Sequence, residues 1–229
     1  MRVLKESKYT YLEINKRRER NKCFVWTGIS LVALIITILQ KIWILLPLVI
    51  LSISLITRYL NKYRSWSAGK VGEEVIPKVL QGLDDSYCLL NDVVLPGQKG
   101  NIDHVLLSPK SIFIIETKNY SGEVGCYGDE WYKRGRRKEY PIGSISKQAK
   151  RNALGLRNFI RKTAKIDVNY VTPICVFSNL SVKLNLHEQT VPVLRLEELI
   201  KFIKNAQPSI SLSESQLQSI AQSILRFSP

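Results

Sequence analysis

Histidine is scarce in this chain, and its cysteines are unpaired in sequence. Its two histidines, His104 and His187, lie far apart, and its four cysteines, Cys23, Cys88, Cys126 and Cys175, are scattered singly. With no C-x-x-C pair and no second cluster, the spacing argues against a zinc site or a disulfide scaffold and suits a reducing compartment. A histidine-rich metal site is disfavoured on the same ground. Acidic residues are scarce too: 19 Asp and Glu against 34 Lys and Arg leave a formal net charge of +15 and a pI near 9.7. That balance favours polyanionic partners, nucleic acid or anionic lipid. There is no internal repeat and no low-complexity tract. The first apolar stretch is too long for a signal peptide, and no small-residue cleavage site follows it.

What the sequence has in quantity is apolar residues near its start. Residues 1–22 are polar and basic, with Lys16-Arg17-Arg18 and Arg20-Asn21-Lys22 close together. Phe24 to Leu39 and Ile42 to Ile56 then form two uncharged apolar runs separated only by Gln40-Lys41. One straight helix through both would be roughly 50 Å long at 1.5 Å per residue, against a hydrocarbon core of ~30 Å. Two short transmembrane helices turning at Gln40-Lys41 fit better, with a re-entrant or interfacial hairpin as the alternative. Pro47 would kink the second helix without expelling it. Trp26, Tyr59, Tyr63 and Trp66 fall near one interface and Trp43 near the turn. Both flanks are basic (Arg17, Arg18, Arg20 and Lys22 before; Arg58, Lys62 and Arg64 after), which places both ends on the cytoplasmic side of the cell (inner) membrane. The chain then divides into a basic segment (1–22), a transmembrane hairpin (23–58), a polar linker (59–68), an α/β domain (69–180) and a C-terminal strand and helices completing it (181–229).

Within that domain, Val71 to Leu80 reads as a helix with Pro77 in its first turns or kinking it. Cys88 to Leu95 reads as a strand ending in a Pro96-Gly97 turn. Two further strands follow in Asn101 to Asn119, joined by Ser108-Pro109-Lys110. Gly122 to Tyr127 and Glu130 to Lys133 suggest a hairpin across Gly128-Asp129 with Trp131 as anchor. Ala149, Ala153, Leu156 and Ile160 recur at helical spacing within Ser146 to Thr163. Tyr170 to Phe177 is a buried strand that Pro173 pushes toward an edge. Val191 to Leu194 is a short strand, and Glu197 to Lys204 and Glu214 to Phe227 are helices.

Ile112 to Lys118 is the stretch with chemistry. It is apolar on both faces until Glu116 and Lys118, and such a strand is normally buried on both sides. A carboxylate and an ammonium there cost several kcal/mol unless paired, solvated or bound to a metal. Residues two apart share a strand face, and Asp103 on the preceding strand lies within cross-strand reach. Two carboxylates can hold Mg²⁺ or Mn²⁺, which lowers the pKa of a bound water and polarises a phosphoryl group. Asp103, Glu116 and the Thr117 carbonyl would be its ligands. Lys118 would orient the water or stabilise developing charge. An E-x-K tripeptide is common by chance, and its competing reading is a solvated ion pair at a strand end.

Three ordered motifs carry a more specific signal: Gly69-Lys70-Val71-Gly72-Glu73-Glu74, Asn101-Ile102-Asp103-His104-Val105, and Ile114-Ile115-Glu116-Thr117-Lys118-Asn119, followed by Gly122, Trp131 and Gln148. Together they resemble the NERD (nuclease-related) domain of the restriction-endonuclease-like PD-(D/E)-x-K superfamily, over roughly residues 66 to 180. The resemblance implies an α/β fold, a mixed four-stranded sheet core flanked by helices. It also implies catalytic roles for Glu73, Asp103, Glu116, Lys118 and Gln148. The family's Asn-Pro close before the glutamine is missing; Tyr140-Pro141 stands seven positions ahead of Gln148 instead. The competing reading of Glu73 is a helix-start carboxylate. His104 points away from Asp103 and reads as structural, and His187 sits in a loop-like region without a nameable partner. Lys133, Arg134, Arg136, Arg137 and Lys138 form the densest positive patch, suited to phosphate contact, with anionic headgroups or plain solvation as alternatives. The expectation is a membrane-anchored, Mg²⁺- or Mn²⁺-dependent nuclease acting on nucleic acid, DNA ahead of RNA. The alternative is a catalytically silent domain that holds nucleic acid or a protein at the bilayer.

Overall fold

The computed structural model describes residues 1–6, 10–40, 45–98, 100–135 and 137–228. They divide into two compact units: Met1–Lys8 with Gly72–Pro229, and Tyr9–Val71.

The second of these units consists of α1 (Thr10–Gln40) and residues 46–71 of α2 (Leu46–Leu80), both long helices. Among the described residues one stretch, Glu13–Leu39, is long and apolar enough to cross a membrane. The expected pair of transmembrane helices is thereby reduced to one candidate. The second apolar run is described only from residue 45, and Leu46–Ile56 spans roughly 16 Å at 1.5 Å per residue, about half a hydrocarbon core. Lys41 and Trp43, expected at the turn, lie outside the described residues. The polar linker expected at 59–68 is helical, because that stretch holds no Pro and no Gly and belongs wholly to α2. Pairing with α1 steadies it: Lys16 and Lys22 lie over the rings of Tyr63 and Tyr59, and Lys70 meets Glu13. Pro77 falls in the last turn of α2 rather than the first.

The other unit is built on a six-stranded mixed sheet in the order β1 (Arg2–Lys5), β2 (Cys88–Val93), β3 (Ile102–Leu107), β4 (Ile112–Lys118), β8 (Thr172–Phe177), β10 (Val193–Arg195). The β2–β3–β4 run is antiparallel, and β1, β8 and β10 join in parallel. The four strands implied by resemblance are present and extended by two. The N-terminal β1, which the sequence reading put in a basic tail, is held at the edge by Lys5, whose Nζ donates to Asp92 O and Ser228 Oγ at 2.6 Å each. Pro173 is tolerated inside the sheet because β10 begins pairing only at Cys175, so Pro173 has a neighbour on one side alone.

Alternation along β3 and β4 divides the core between two faces. Val105, Leu107, Ile112 and Ile114 pack on α3 (Ile145–Thr163) and α5 (Glu214–Phe227). Leu106, Phe113 and Ile115 pack on Ile76 and Leu80 of α2 and on Leu199 and Ile203 of α4 (Leu199–Asn205).

A second sheet runs β7 (Glu139–Ile142), β6 (Glu130–Arg134), β5 (Gly122–Tyr127), β9 (Val182–His187). Its inner face, Val124, Cys126, Trp131 and Val182, covers the start of α3 and the end of β8. The β5–β6 turn is tied to α3 through Asp129. Its carboxylate accepts from Lys150 and Ser146 at 2.6 Å and from Thr190, and Ser146 Oγ also accepts from Trp131 Nε1. These bonds hold the Asp129 carboxyl below its ordinary range.

Candidate active site

β3 and β4 pair regularly from Leu107↔Ile112 to His104↔Ile115. One step further, the Asp103 side chain takes the place of the ladder: its Oδ2 accepts the Thr117 N–H at 2.8 Å. The strands part there, and side chains collect at the opening. Alternation puts Asp103, Glu116 and Lys118 on the α3 side of the sheet. Asp103 and Glu116 are 7% and 1% exposed, so neither charge is balanced by water. Lys118 Nζ donates to Glu116 Oε1 at 2.6 Å. The other oxygen, Oε2, receives the Asn152 amide of α3 at 3.4 Å.

Glu73 reaches this region from α2. Gly72 makes that approach feasible, because a Cβ there would stand 2.7 Å from both Asn119 Cβ and Ser178 Oγ. The helix therefore lies directly against the ends of β4 and β8. Burial raises the Glu73 carboxyl to about 7, with further upward pressure from Asp92 and Glu116. Burial also drives Asp103 well above its ordinary value, reinforced by Glu116 and Glu73. Burial alone would lower Lys118, but the Glu116 and Asp103 carboxylates outweigh it and hold the ammonium charged. The opening thus holds more carboxylate than its one lysine neutralises.

Residues 68–178, which contain all of these groups, match the model of NERD, the nuclease-related domain. The chain carries a NERD domain. Over 182 residues it is 27% identical to an uncharacterized protein of Bacillus anthracis, covering 76% of this chain and 81% of that relative. No solved structure matches it.

The NERD domain brings Glu73, Asp103, Glu116 and Lys118 together at one end of the six-stranded sheet. Gln148 is on α3, half-buried, and among the described residues its side chain makes no hydrogen bond to the cluster. Asn152, one turn later on that helix, makes it. The sequence signal for Asn152 was a polar residue inside the buried stripe Ala149, Ala153, Leu156. Asp92 was also missed. It follows Asn91 within an apolar strand, adopts φ 51°, and receives the Asn101 amide on Oδ1 at 2.7 Å. His104 is buried with Nδ1 bonded to Asn91 Oδ1 at 2.7 Å, and burial depresses its pKa to about 3, so it stays neutral.

Lys133 and Arg134 of the basic run lie on β6, and Arg137 and Lys138 lie in the connection to β7. Arg134 pairs with Glu123 and Glu139, and Lys133 covers the Tyr120 ring. Arg137 and Lys138 are exposed, and Arg136 lies outside the described residues.

Oxygen donors suit the hard divalent cations, which need only one or two carboxylates when they retain waters. Among the described residues no three His, Cys, Asp or Glu side chains stand close enough to hold a metal by themselves. A two-carboxylate site fits what is present: Asp103 Oδ2 spends one lone pair on Thr117 N–H, leaving Oδ1 and further lone pairs on Glu116 for a cation. Burial first and the neighbouring carboxylates second raise the pKa values of Glu73 and Asp103, and a cation held there would offset both penalties.

Proposed function

We propose that the NERD domain is a divalent-metal-dependent nuclease hydrolysing phosphodiester bonds, DNA ahead of RNA, on a chain anchored in a membrane. The observation that carries this is the buried convergence of Asp103, Glu116 and Lys118 where β3 and β4 part. A fold has no structural need to bury two carboxylates beside one lysine, since an apolar trio of similar volume would be no less stable. In this reading Asp103, Glu116 and the Thr117 carbonyl hold Mg²⁺ or Mn²⁺. The ion supplies a water of lowered pKa and neutralises the phosphate. Lys118 stays charged beside the reacting phosphate and stabilises the charge that develops on it. Asn152 holds the Glu116 carboxylate in one orientation, and Glu73 receives or stores a proton near neutral pH. Gln148, half-buried one turn before Asn152 on α3, contacts the substrate in this reading rather than Glu116. The exposed Arg137 and Lys138 contact flanking phosphates, with Lys133 and Arg136 adding positive potential.

The membrane part of the proposal rests on α1 and on connectivity. β1 and β2 pair in one sheet, so residues 1–8 and 72–228 fold as one unit on either side of the helical pair. A chain that enters a bilayer between them must therefore cross it an even number of times. One full span by α1 with a short returning span at the start of α2 meets that condition. The basic flanks favour the cytoplasmic face of the cell membrane for the folded unit.

The test is cleavage by the full-length protein in detergent. Plasmid, single-stranded DNA and RNA are incubated with Mn²⁺, Mg²⁺ or EDTA, alongside Asp103→Ala and Lys118→Ala. Metal-dependent cutting that falls by at least about 100-fold in both variants is expected. Salt-sensitive binding without cutting in any metal would replace the nuclease with a nucleic-acid tether at the membrane.

A further inference from the structure

The second sheet turns its inner face to the core, and among the described residues no element packs broadly on its outer face. Gly125, Tyr127 and Tyr132, together with Asn185 and His187 of β9, alternate onto that outer face, opposite the buried Val124, Cys126 and Trp131. Their rings form a platform. Tyr127 and His187 stack with centroids 4.7 Å apart and planes 10° from parallel, and Tyr132 continues the stack at 6.4 Å and 25°. Tyr132 lies flat across Gly125, where a Cβ would come within 2.3 Å of its ring. Asn185 locks the set, donating to Tyr132 Oη at 3.1 Å and meeting His187 Nε2 at 3.0 Å. Tyr127 is nevertheless 60% exposed. Beside it runs a groove of about 250 Å³ bordered by Tyr132, Glu139, Tyr140 and Pro141.

Resting on the nucleic-acid reading above, we infer that this outer face is a stacking platform for unpaired bases of single-stranded nucleic acid. A ring rigidly held by neighbours yet open on one side loses little entropy on stacking, and every base offers a π-face. The charges agree with a strand that binds mainly through its bases. Arg134 is spent on Glu123 and Glu139, which leaves Lys183, two residues before Asn185 on the same face of β9, and Arg137 and Lys138 at the turn to meet phosphates. Three such contacts predict a shallow salt dependence, a log–log slope of about −2 for a single strand. A duplex keeps its bases stacked on one another and gains nothing from the platform.

The experiment measures fluorescence anisotropy of the full-length protein in detergent and EDTA with three labelled probes. These are an oligothymidylate of about 15 nucleotides, an abasic oligomer of equal length, and a duplex. Tyr127→Ala is expected to weaken oligothymidylate binding at least about fivefold, to leave duplex binding unchanged, and to bring the oligothymidylate down to the abasic level. Tyr127→Phe, which keeps the ring, is expected to bind as the wild type does. Equal binding by Tyr127→Ala and wild type, or an abasic probe binding as well as the oligothymidylate, overturns the inference. If the wild type cuts nucleic acid but Tyr127 is irrelevant to binding, the platform fails and the nuclease stands. If Tyr127-dependent binding appears without cutting in any metal, the platform stands and the nuclease fails.

Discussion

Glu73 changes protonation near neutral pH. Its unfolded pKa is about 4.3, and in the fold burial, Asp92 and Glu116 raise it to about 7. A carboxyl raised in this way costs the fold nothing below about pH 4, and its penalty grows until the group is fully ionised above about pH 7. Without metal, therefore, stability falls as pH rises through this window. Glu73→Gln removes the penalty. In EDTA the variant is expected to melt within a degree or two of wild type at pH 5 and several degrees above it at pH 8, the gain being roughly 1–3 kcal/mol. Differential scanning fluorimetry at the two pH values reads this directly, and equal shifts at both would show that Glu73 is an ordinary solvated carboxylate. Adding Mg²⁺ should reverse the order at pH 8, since an ion held beside an ionised Glu73 gains more than one beside an amide.

At the scale of elements, the approach of α2 to β4 depends on one missing side chain. Gly72→Ala places a methyl 2.7 Å from Asn119 Cβ, an atom too close to its backbone to swing away. Helix and strand must separate, at a cost of about 1–3 kcal/mol. Glu73 moves with the helix, so its carboxyl should return toward an ordinary value. The expected result is a lower melting temperature together with loss of the pH-dependent difference between residue 73 as Glu and as Gln; an unaltered melting temperature would mean that the contact relaxes freely. The same elements show what could be read in advance. β3 and β4 were legible because runs such as Ile112–Ile115 are apolar on both faces, and the charges at their ends stood out against that run. β1, β7 and β9 were not, because each has mostly exposed or half-buried residues and is ordered by the strand beside it rather than by its own pattern. Residues 59–68 read as a linker by polarity alone, although helix formation needs only the absence of breakers and a partner helix to lean on. Gln148 drew notice by resemblance. Asn152 is the amide that reaches Glu116, and which of two amides one turn apart does so is decided by the rotation of α3, which no sequence pattern specifies.

For the whole molecule the governing fact is that the chain leaves its sheet after β1 and rejoins it at β2. A protein with a single span would have these strands on opposite sides of the bilayer, and the six-stranded sheet could not form. The parallel Arg2↔Cys88 and Val3↔Leu89 pairing thus ties membrane topology to the integrity of the sheet. Two exposed positions on the folded unit report it: Val3, on β1, and Leu180, between β8 and β9, which is 82% exposed. On a background with the four native cysteines replaced, Val3→Cys and Leu180→Cys are each treated with a membrane-impermeant maleimide in sealed vesicles of either orientation. Both should label in inside-out vesicles and neither in right-side-out ones. Labelling of the two positions from opposite faces would mean that α1 crosses alone, and β1 would then have to be unpaired in the membrane-bound protein. Removing residues 1–8 would in that case leave nuclease activity and melting temperature unchanged, whereas an even number of crossings predicts that the same truncation bares the β2 edge, frees the Asp92 carbonyl from Lys5 and lowers both.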